Sequence, residues 1–330
     1  MTLLVVKKEE SHRIDTPKGA RSATALGDLP RLTTTVPREY VHRASLAEVF
    51  LTSCEKIDDT RFSLTAQLPR AHTFFNSSDG RRHDPTQIGE TLRQVTLFLG
   101  HSDFGVPLGY HFVLWELTFA VHTEQLIIGS APTDLTLDVV CTNLVKRGSK
   151  VSEFTLEATV WRDGQLAATG STRTTCVSDT TYRRLRGSSS AGALSTDHDR
   201  NSAYVDPSAF GRVLYRDVVL DPTNAPNQWL LNPDPRHPIL FDHGGDHIPG
   251  MVLVEAARQA AYGLLAPGFS LTPTSMSTDF FRYVEFESPC SIEATPLPVQ
   301  QSGVLSVHVT GHQNNQQVFA SQVSGTLSAP

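Results

Sequence analysis

The stretch that decides the fold runs His237-Pro238-Ile239-Leu240-Phe241, then Asp246-His247-Ile248-Pro249-Gly250-Met251-Val252-Leu253-Val254-Glu255-Ala256-Ala257-Arg258-Gln259. An earlier stretch answers it: His72-Thr73-Phe74-Phe75, then Arg82-His83-Asp84-Pro85, then Glu90-Thr91-Leu92-Arg93-Gln94. In both, a Glu follows the first His by 18 positions, with Arg three and Gln four positions beyond that Glu. Glu255 stands 165 positions after Glu90, and His237 stands 165 after His72. Several polar positions matching at one offset mark a duplicated unit. The 330-residue chain therefore reads as two homologous domains, 35–182 and 212–330. A polar, small-residue linker over 183–211 joins them, and a loose extension over 1–34 precedes them.

Each copy predicts one helix and then strands. Pro85 and Pro249-Gly250 mark helix starts, where a missing N–H costs nothing. Gly100 and Pro267-Gly268 mark stops. From Met251 to Leu265 the second helix is apolar or small on almost every side, which predicts a buried helix. Glu255, Arg258 and Gln259 nevertheless share one face of it, as Glu90, Arg93 and Gln94 do in the first copy. Strand-like runs follow at Phe112–Val121, Leu135–Val140, Phe154–Trp161 and Ala167–Thr174. The second copy has Phe280–Phe286, Ser291–Ala294, Leu305–Val309 and Val318–Ser324. Phe154, Leu156, Ala158 and Val160 alternate with polar partners, as a half-buried strand requires. Asp163-Gly164 and Asn314-Asn315 read as hairpin turns. The expected class is α+β: a tandem hotdog fold, with a central helix wrapped by antiparallel sheet in each copy.

Composition narrows the function. Apolar residues make up 39% and charged residues 19%, which supports packed cores and argues against a disordered chain. A net charge of -6 argues against a nucleic-acid partner. Uninterrupted apolar stretches fall short of the roughly 18 residues of a spanning helix, and no signal-peptide pattern opens the chain. The expectation is a cytoplasmic protein without a membrane partner. Cys54, Cys141, Cys176 and Cys290 form no CxxC pair, so neither a zinc site nor a redox dithiol is signalled, and no metal or cofactor is expected. Asp242-His243-Gly244-Gly245-Asp246-His247 reads as a polar loop capping the second helix rather than as a metal site. Arg183, Arg184 and Arg186 read as solvated surface or as a hold for an acidic carrier protein.

The duplicated polar face carries the chemistry. A buried Glu has a raised proton affinity, so Glu255 and Glu90 suit a general base near neutral pH. Arg258 and Arg93 offer a fork for phosphate or carboxylate. Gln259 and Gln94 can position a carbonyl or hydroxyl. The backbone near Pro249-Gly250 offers free N–H groups for an oxyanion or phosphate. The competing reading is structural: an intrahelical Glu–Arg pair that fixes the register of the two domains.

These motifs resemble a known family. At a distance, His237-Pro-Ile-Leu-Phe with Pro249-Gly-Met-Val-Leu-Val-Glu255 is similar to the β-hydroxyacyl-carrier-protein dehydratases. Much closer is the A-factor synthase family of γ-butyrolactone signal biosynthesis. Arg82-His-Asp-Pro85, Glu90-Thr-Leu-Arg-Gln94 and Gly105-Val-Pro-Leu-Gly-Tyr-His-Phe112 resemble it in the first copy. Asp246-His-Ile-Pro-Gly250, Glu255-Ala-Ala-Arg-Gln259 and Arg282-Tyr-Val-Glu-Phe-Glu-Ser-Pro-Cys290 resemble it in the second.

The resemblance implies an acyltransferase with two partners: an acyl carrier protein bearing a β-ketoacyl chain, and dihydroxyacetone phosphate. The chain would leave its thioester and esterify the primary hydroxyl, and an internal aldol condensation would then close a phosphorylated butenolide. On this reading Glu255 or Glu90 takes the hydroxyl proton, and Arg258 or Arg93 holds phosphate or oxyanion. Gly250 shares the oxyanion, and His237 and His72 polarise the thioester carbonyl. Pairing across domains would join His237 with Glu90 and His72 with Glu255. A dehydratase or thioesterase on the same fold, and a non-catalytic acyl or lactone binder, are the alternatives. Pairing of whole chains into a homodimer stays open.

Overall fold

A computed structural model describes residues 32–187, 205–298 and 302–329. The chain divides into two units, Met1–Thr33 and Thr34–Pro330, and everything below concerns the second. Among the described residues twelve strands form one antiparallel sheet: β1 (Leu51–Lys56), β2 (Arg61–Leu68), β3 (His111–Val121), β4 (Thr133–Arg147), β5 (Lys150–Arg162), β6 (Gln165–Val177), β7 (Leu220–Pro222), β8 (Gln228–Leu231), β9 (Ser270–Phe280), β10 (Cys290–Pro296), β11 (Val304–Gln313) and β12 (Gln316–Ser328). Their spatial order is β1-β2-β4-β5-β6-β3-β9-β12-β11-β10-β8-β7. Read outward from the centre, each half has the same order. The centre is the antiparallel pair β3–β9, registered from Glu116 opposite Asp279 to Ala120 opposite Ser275. The two repeats thus share one continuous sheet.

Each half wraps a helix. Helix α1 (Thr86–Ser102) buries all its residues except Arg93 and Ser102. After the short helix α2 (Asp179–Arg186), helix α3 (Gly250–Tyr262) buries Val252 through Ala261 without a break. This is the expected hotdog arrangement, twice. The paired turns also form as read. Asp163 and Gly164 have φ of 50° and 76°, and Asn314 and Asn315 have 53° and 59°. Two left-handed residues in a row give the type I′ turn that matches strand twist. Among the described residues no helix is long and apolar enough to cross a membrane.

Four readings need correction. The strand expected at Phe280–Phe286 lies earlier, at Ser270–Phe280. Its polar composition and Pro273 hid it. Pro273 is tolerated because β3 pairs only with Ser275 to Asp279, and β12 shifts register at Ser324/Gly325 beside it. Strands β1, β2, β7 and β8, which precede the helices, were not expected at all. Helix α3 ends at Tyr262, five residues before Pro267. Helix α2 extends into the stretch read as linker, whose residues 188–204 lie outside the described residues.

Helix and sheet approach closely at Gly170 on β6. A Cβ there would lie 2.6 Å from Thr118 O and collide with the Leu92 side chain of α1. Overpacking of this kind costs about 1–3 kcal/mol. Gly170→Val is expected to lower the urea midpoint accordingly, and an unchanged midpoint would mean that α1 does not rest on β6 as described.

Candidate active site

The duplicated Glu-Arg-Gln faces form two buried ionic clusters. Glu90 accepts from Arg93 Nε at 2.8 Å, Arg93 Nη2 at 2.8 Å and Gln94 Nε2 at 2.8 Å. A second guanidinium, Arg43, reaches it with Nη2 at 2.7 Å. Glu255 is held in the same way by Arg258, Gln259 and Arg212, with Arg212 Nε at 2.8 Å. The sequence reading missed Arg43 and Arg212. Each follows a left-handed residue that ends a short 3₁₀ turn, His42 (φ 51°) and Gly211 (φ 64°), and this swings the next side chain inward.

These two arginines tie the repeats together. Arg43 Nη1 donates to Ile239 O at 2.9 Å, and Arg212 Nη1 donates to Phe74 O at 2.6 Å. Each cluster also meets an acid of the opposite repeat: Asp242 lies 4.0 Å from Arg43, and Asp84 lies 3.4 Å from Arg212. Gln94 and Gln259 complete the set by bridging backbone. Gln94 accepts from Phe50 N and donates to Glu48 O, and Gln259 does the same with Val219 N and Asp217 O.

The raised proton affinity expected of the two glutamates is reversed. Burial alone pushes each carboxyl up, but two guanidiniums outweigh it and hold Glu90 and Glu255 at about 2. Arg258 and Glu255 are each 2% exposed and satisfied by protein. The expected His–Glu pairs do not form either. His237 Nε2 meets Asp217 at 3.0 Å, while its Nδ1 accepts from Ile239 N and Leu240 N. His72 repeats this with Glu48, Phe74 N and Phe75 N. Both rings pin the turns whose carbonyls the cross-repeat arginines grip.

The open chemistry lies at the start of α3. Of the expected site residues, Gly250 alone lines a cavity of about 530 Å³. The cavity sits where β3 of the first repeat faces α3 and the segment after β9. Phe112, Leu114, Trp115, Leu253, Phe280 and Val318 give it apolar walls, and His247, Arg282, Tyr283 and Glu285 give it polar ones. Helix α3 has no side-chain cap. Its first N–H groups, at Gly250 and Met251, therefore have no acceptor within the helix. A Cβ on Gly250 would lie 3.5 Å from the Phe280 ring, so the backbone stands at the cavity wall.

The loop read as a cap for α3 does something else. Asp246 accepts from Tyr182 Oη at 2.7 Å, from His247 Nδ1 at 2.7 Å and from Arg186 Nε at 3.2 Å. Arg186 also donates both Nη groups to Glu285 and lies over the Tyr283 ring. Burial would raise the Asp246 carboxyl, yet His247, Tyr182 and Arg186 hold it well below the usual range. Arg186, read as surface, is 7% exposed because α2 folds back onto this loop, whereas Arg183 and Arg184 stay exposed. Burial pushes the Cys290 thiol up to about 12, away from nucleophilic chemistry.

The matching entrance in the first repeat is closed. Asp84 accepts from Thr86 N at 2.9 Å and Thr86 Oγ1 at 2.7 Å, and so caps α1. His83, the counterpart of His247, is 1% exposed against Thr133. Burial pushes it down to about 4.

Two hotdog repeats in one sheet, with one helix entrance open to a mixed apolar and cationic cavity, define a double-hotdog protein built for acyl chemistry. The chain belongs to the A-factor biosynthesis hotdog domain family (AfsA), whose model matches residues 24–178 and 194–326. It is 45% identical over 298 residues to a 2-oxo-3-(phosphooxy)propyl 3-oxoalkanoate synthase of Streptomyces virginiae, covering 90% of this chain and 99% of that one. Synthases of the same name from Streptomyces coelicolor and Streptomyces griseus are each 38% identical, over 92% and 87% of this chain and 96% and 94% of their own.

Two outcomes test the clusters. Removing one partner of a buried ion pair costs about 3–5 kcal/mol. Arg212→Met is expected to lose that much in urea unfolding, and a loss within the scatter of surface variants would contradict the cross-repeat role. The glutamates bind protons less readily folded, at about 2, than at their ordinary 4.5. Their contribution is therefore complete above about pH 4.5 and falls away as pH drops toward 2. Glu255→Gln is expected to flatten that acid slope, measured as urea midpoints against pH.

Proposed function

We propose that this chain transfers a β-ketoacyl group from a carrier thioester to the primary hydroxyl of dihydroxyacetone phosphate, in the cavity at the start of α3. The observation that carries the reading is the meeting, in one cavity, of an uncapped helix N-terminus, a guanidinium and apolar walls. The relatives' name describes the product: a 3-oxoalkanoate ester whose alcohol part is dihydroxyacetone phosphate. This ester is the first committed intermediate toward a γ-butyrolactone-type signal.

The parts divide the work. The acyl chain lies along Phe112, Leu114, Trp115 and Phe280. The thioester carbonyl points at the N–H groups of Gly250 and Met251, which stabilise the oxyanion as it forms. Arg282 is exposed at the cavity wall and donates one Nη to Gln317 O, which leaves the rest of its fork for the phosphate. The Glu90 and Glu255 clusters act at one remove, by fixing the turns and helices that shape the cavity. Arg183 and Arg184 are exposed on α2, the helix whose Tyr182 and Arg186 hold Asp246, and they suit an acidic carrier protein. Carrier thioesters and sugar phosphates place the reaction in the cytoplasm. Because β3 and β9 already join the two repeats, one chain suffices for the site without a homodimer.

The test is mass spectrometry of the purified protein with a β-ketoacyl pantetheine thioester, with and without dihydroxyacetone phosphate. A phosphorylated ester that requires the acceptor is expected. Arg282→Ala should raise KM for dihydroxyacetone phosphate about tenfold to a hundredfold, the worth of a charged hydrogen bond, and leave the donor KM unchanged. Free acid formed regardless of acceptor would make the protein a thioesterase, and an enoyl product would make it a dehydratase.

A further inference from the structure

The cavity wall holds one imidazole whose surroundings are those of a base. His247 donates from Nδ1 to Asp246 at 2.7 Å, and Tyr182 Oη donates to the same carboxylate oxygen. The other carboxylate oxygen takes Arg186. This arrangement fixes the proton on Nδ1 and leaves the Nε2 lone pair free. Among the described residues Nε2 has no hydrogen-bond partner, and the ring lines the cavity three residues before Gly250. The ring also packs edge-on against Tyr283 at 4.6 Å, which fixes its plane.

The other candidates are spent. Both Glu285 oxygens go to Arg186. Burial raises the Tyr283 hydroxyl above its ordinary range. Glu90 and Glu255 are locked at about 2, and His72 and His237 use both ring nitrogens inside the protein. The counterpart in the first repeat, His83, is 1% exposed, with Thr133 rather than a carboxylate as its partner.

We infer that His247 is the general base of the transfer, and that Asp246, Tyr182 and Arg186 are its positioning residues. The inference rests on the transfer reading above. Nε2 takes the proton of the primary hydroxyl as that oxygen bonds to the thioester carbonyl carbon, and the carbonyl π pair moves onto oxygen. The tetrahedral oxyanion sits at the start of α3. On collapse the C–S bond breaks, its electron pair leaves with sulfur, and Nε2–H returns the proton to the thiolate. The products are the ester and the free thiol, His247 is neutral again, and no cofactor enters the balance. Helix α2, from the end of the first repeat, therefore sets up a catalytic residue of the second.

The experiment follows kcat and KM of the full chain for ester formation. His247→Gln is expected to lower kcat by about a hundredfold to ten-thousandfold with both KM values little changed. Added imidazole should restore part of the rate to His247→Ala but not to Asp246→Ala, whose ring is present but loose. Nitrogen NMR of the parent gives an independent reading: His247 protonated on Nδ1 supports the base, and protonation on Nε2 overturns it. A His247→Gln enzyme at the parental rate also overturns it while leaving the transfer intact. A parent that ignores dihydroxyacetone phosphate but hydrolyses thioester through His247 keeps the base and sinks the acceptor. A parent inert toward every thioester overturns both.

Discussion

Two carboxylates taken out of water, Glu90 and Glu255, organise this molecule. Moving a lone carboxylate into a protein interior costs several kcal/mol. Here each is met by two guanidiniums and a glutamine amide, and each cluster is balanced by an acid from the opposite repeat. Such a cluster is weak evidence for net stability, because a well-packed apolar replacement often does as well. Its value is orientation. Arg43 and Arg212 reach their glutamates only when Ile239 O and Phe74 O stand where they do, so the clusters permit one alignment of the two repeats.

That alignment places β3 of the first repeat across from α3 of the second, and the cavity is the space between them. The balancing acids make the two entrances differ. Asp84 lies two residues ahead of Thr86, the first residue of α1, so while it answers Arg212 it also caps Thr86 and seals the helix start. Asp242 answers Arg43 from seven residues before Pro249, binding Ala44 N on the way. The rest of its loop, Asp246 and His247, is left for the α3 entrance. A duplicated fold thereby gives one built-up helix start and one open one.

Much of this was legible in the sequence. The 165-residue offset, the buried helices and the I′ turns at Asp163-Gly164 and Asn314-Asn315 follow from spacing and backbone chemistry. The resemblance carried by Glu90-Thr-Leu-Arg-Gln94 and Glu255-Ala-Ala-Arg-Gln259 led to the right family. What spacing could not show was the partner of each charge. Arg43 and Arg212 stand 169 positions apart, four off the main offset, although each precedes an acid by five positions (Glu48 and Asp217) and that signal was available. Without them a buried Glu looks like a base. With them it is an anion held by two cations. His247 was hidden for a different reason: Tyr182, which meets it and Asp246, and Arg186, which holds Asp246, are about 60 residues away in the chain and come together only when α2 folds back.

On the proposed function, acyl transfer happens at one entrance, the start of α3. A crystal structure with a non-hydrolysable β-ketoacyl pantetheine amide tests it most directly. One ligand per chain is expected, its carbonyl oxygen on the N–H groups of Gly250 and Met251 and its chain along Phe112 and Phe280. A ligand at the start of α1, or one that displaces Arg258 or Arg93 from its glutamate, would contradict it.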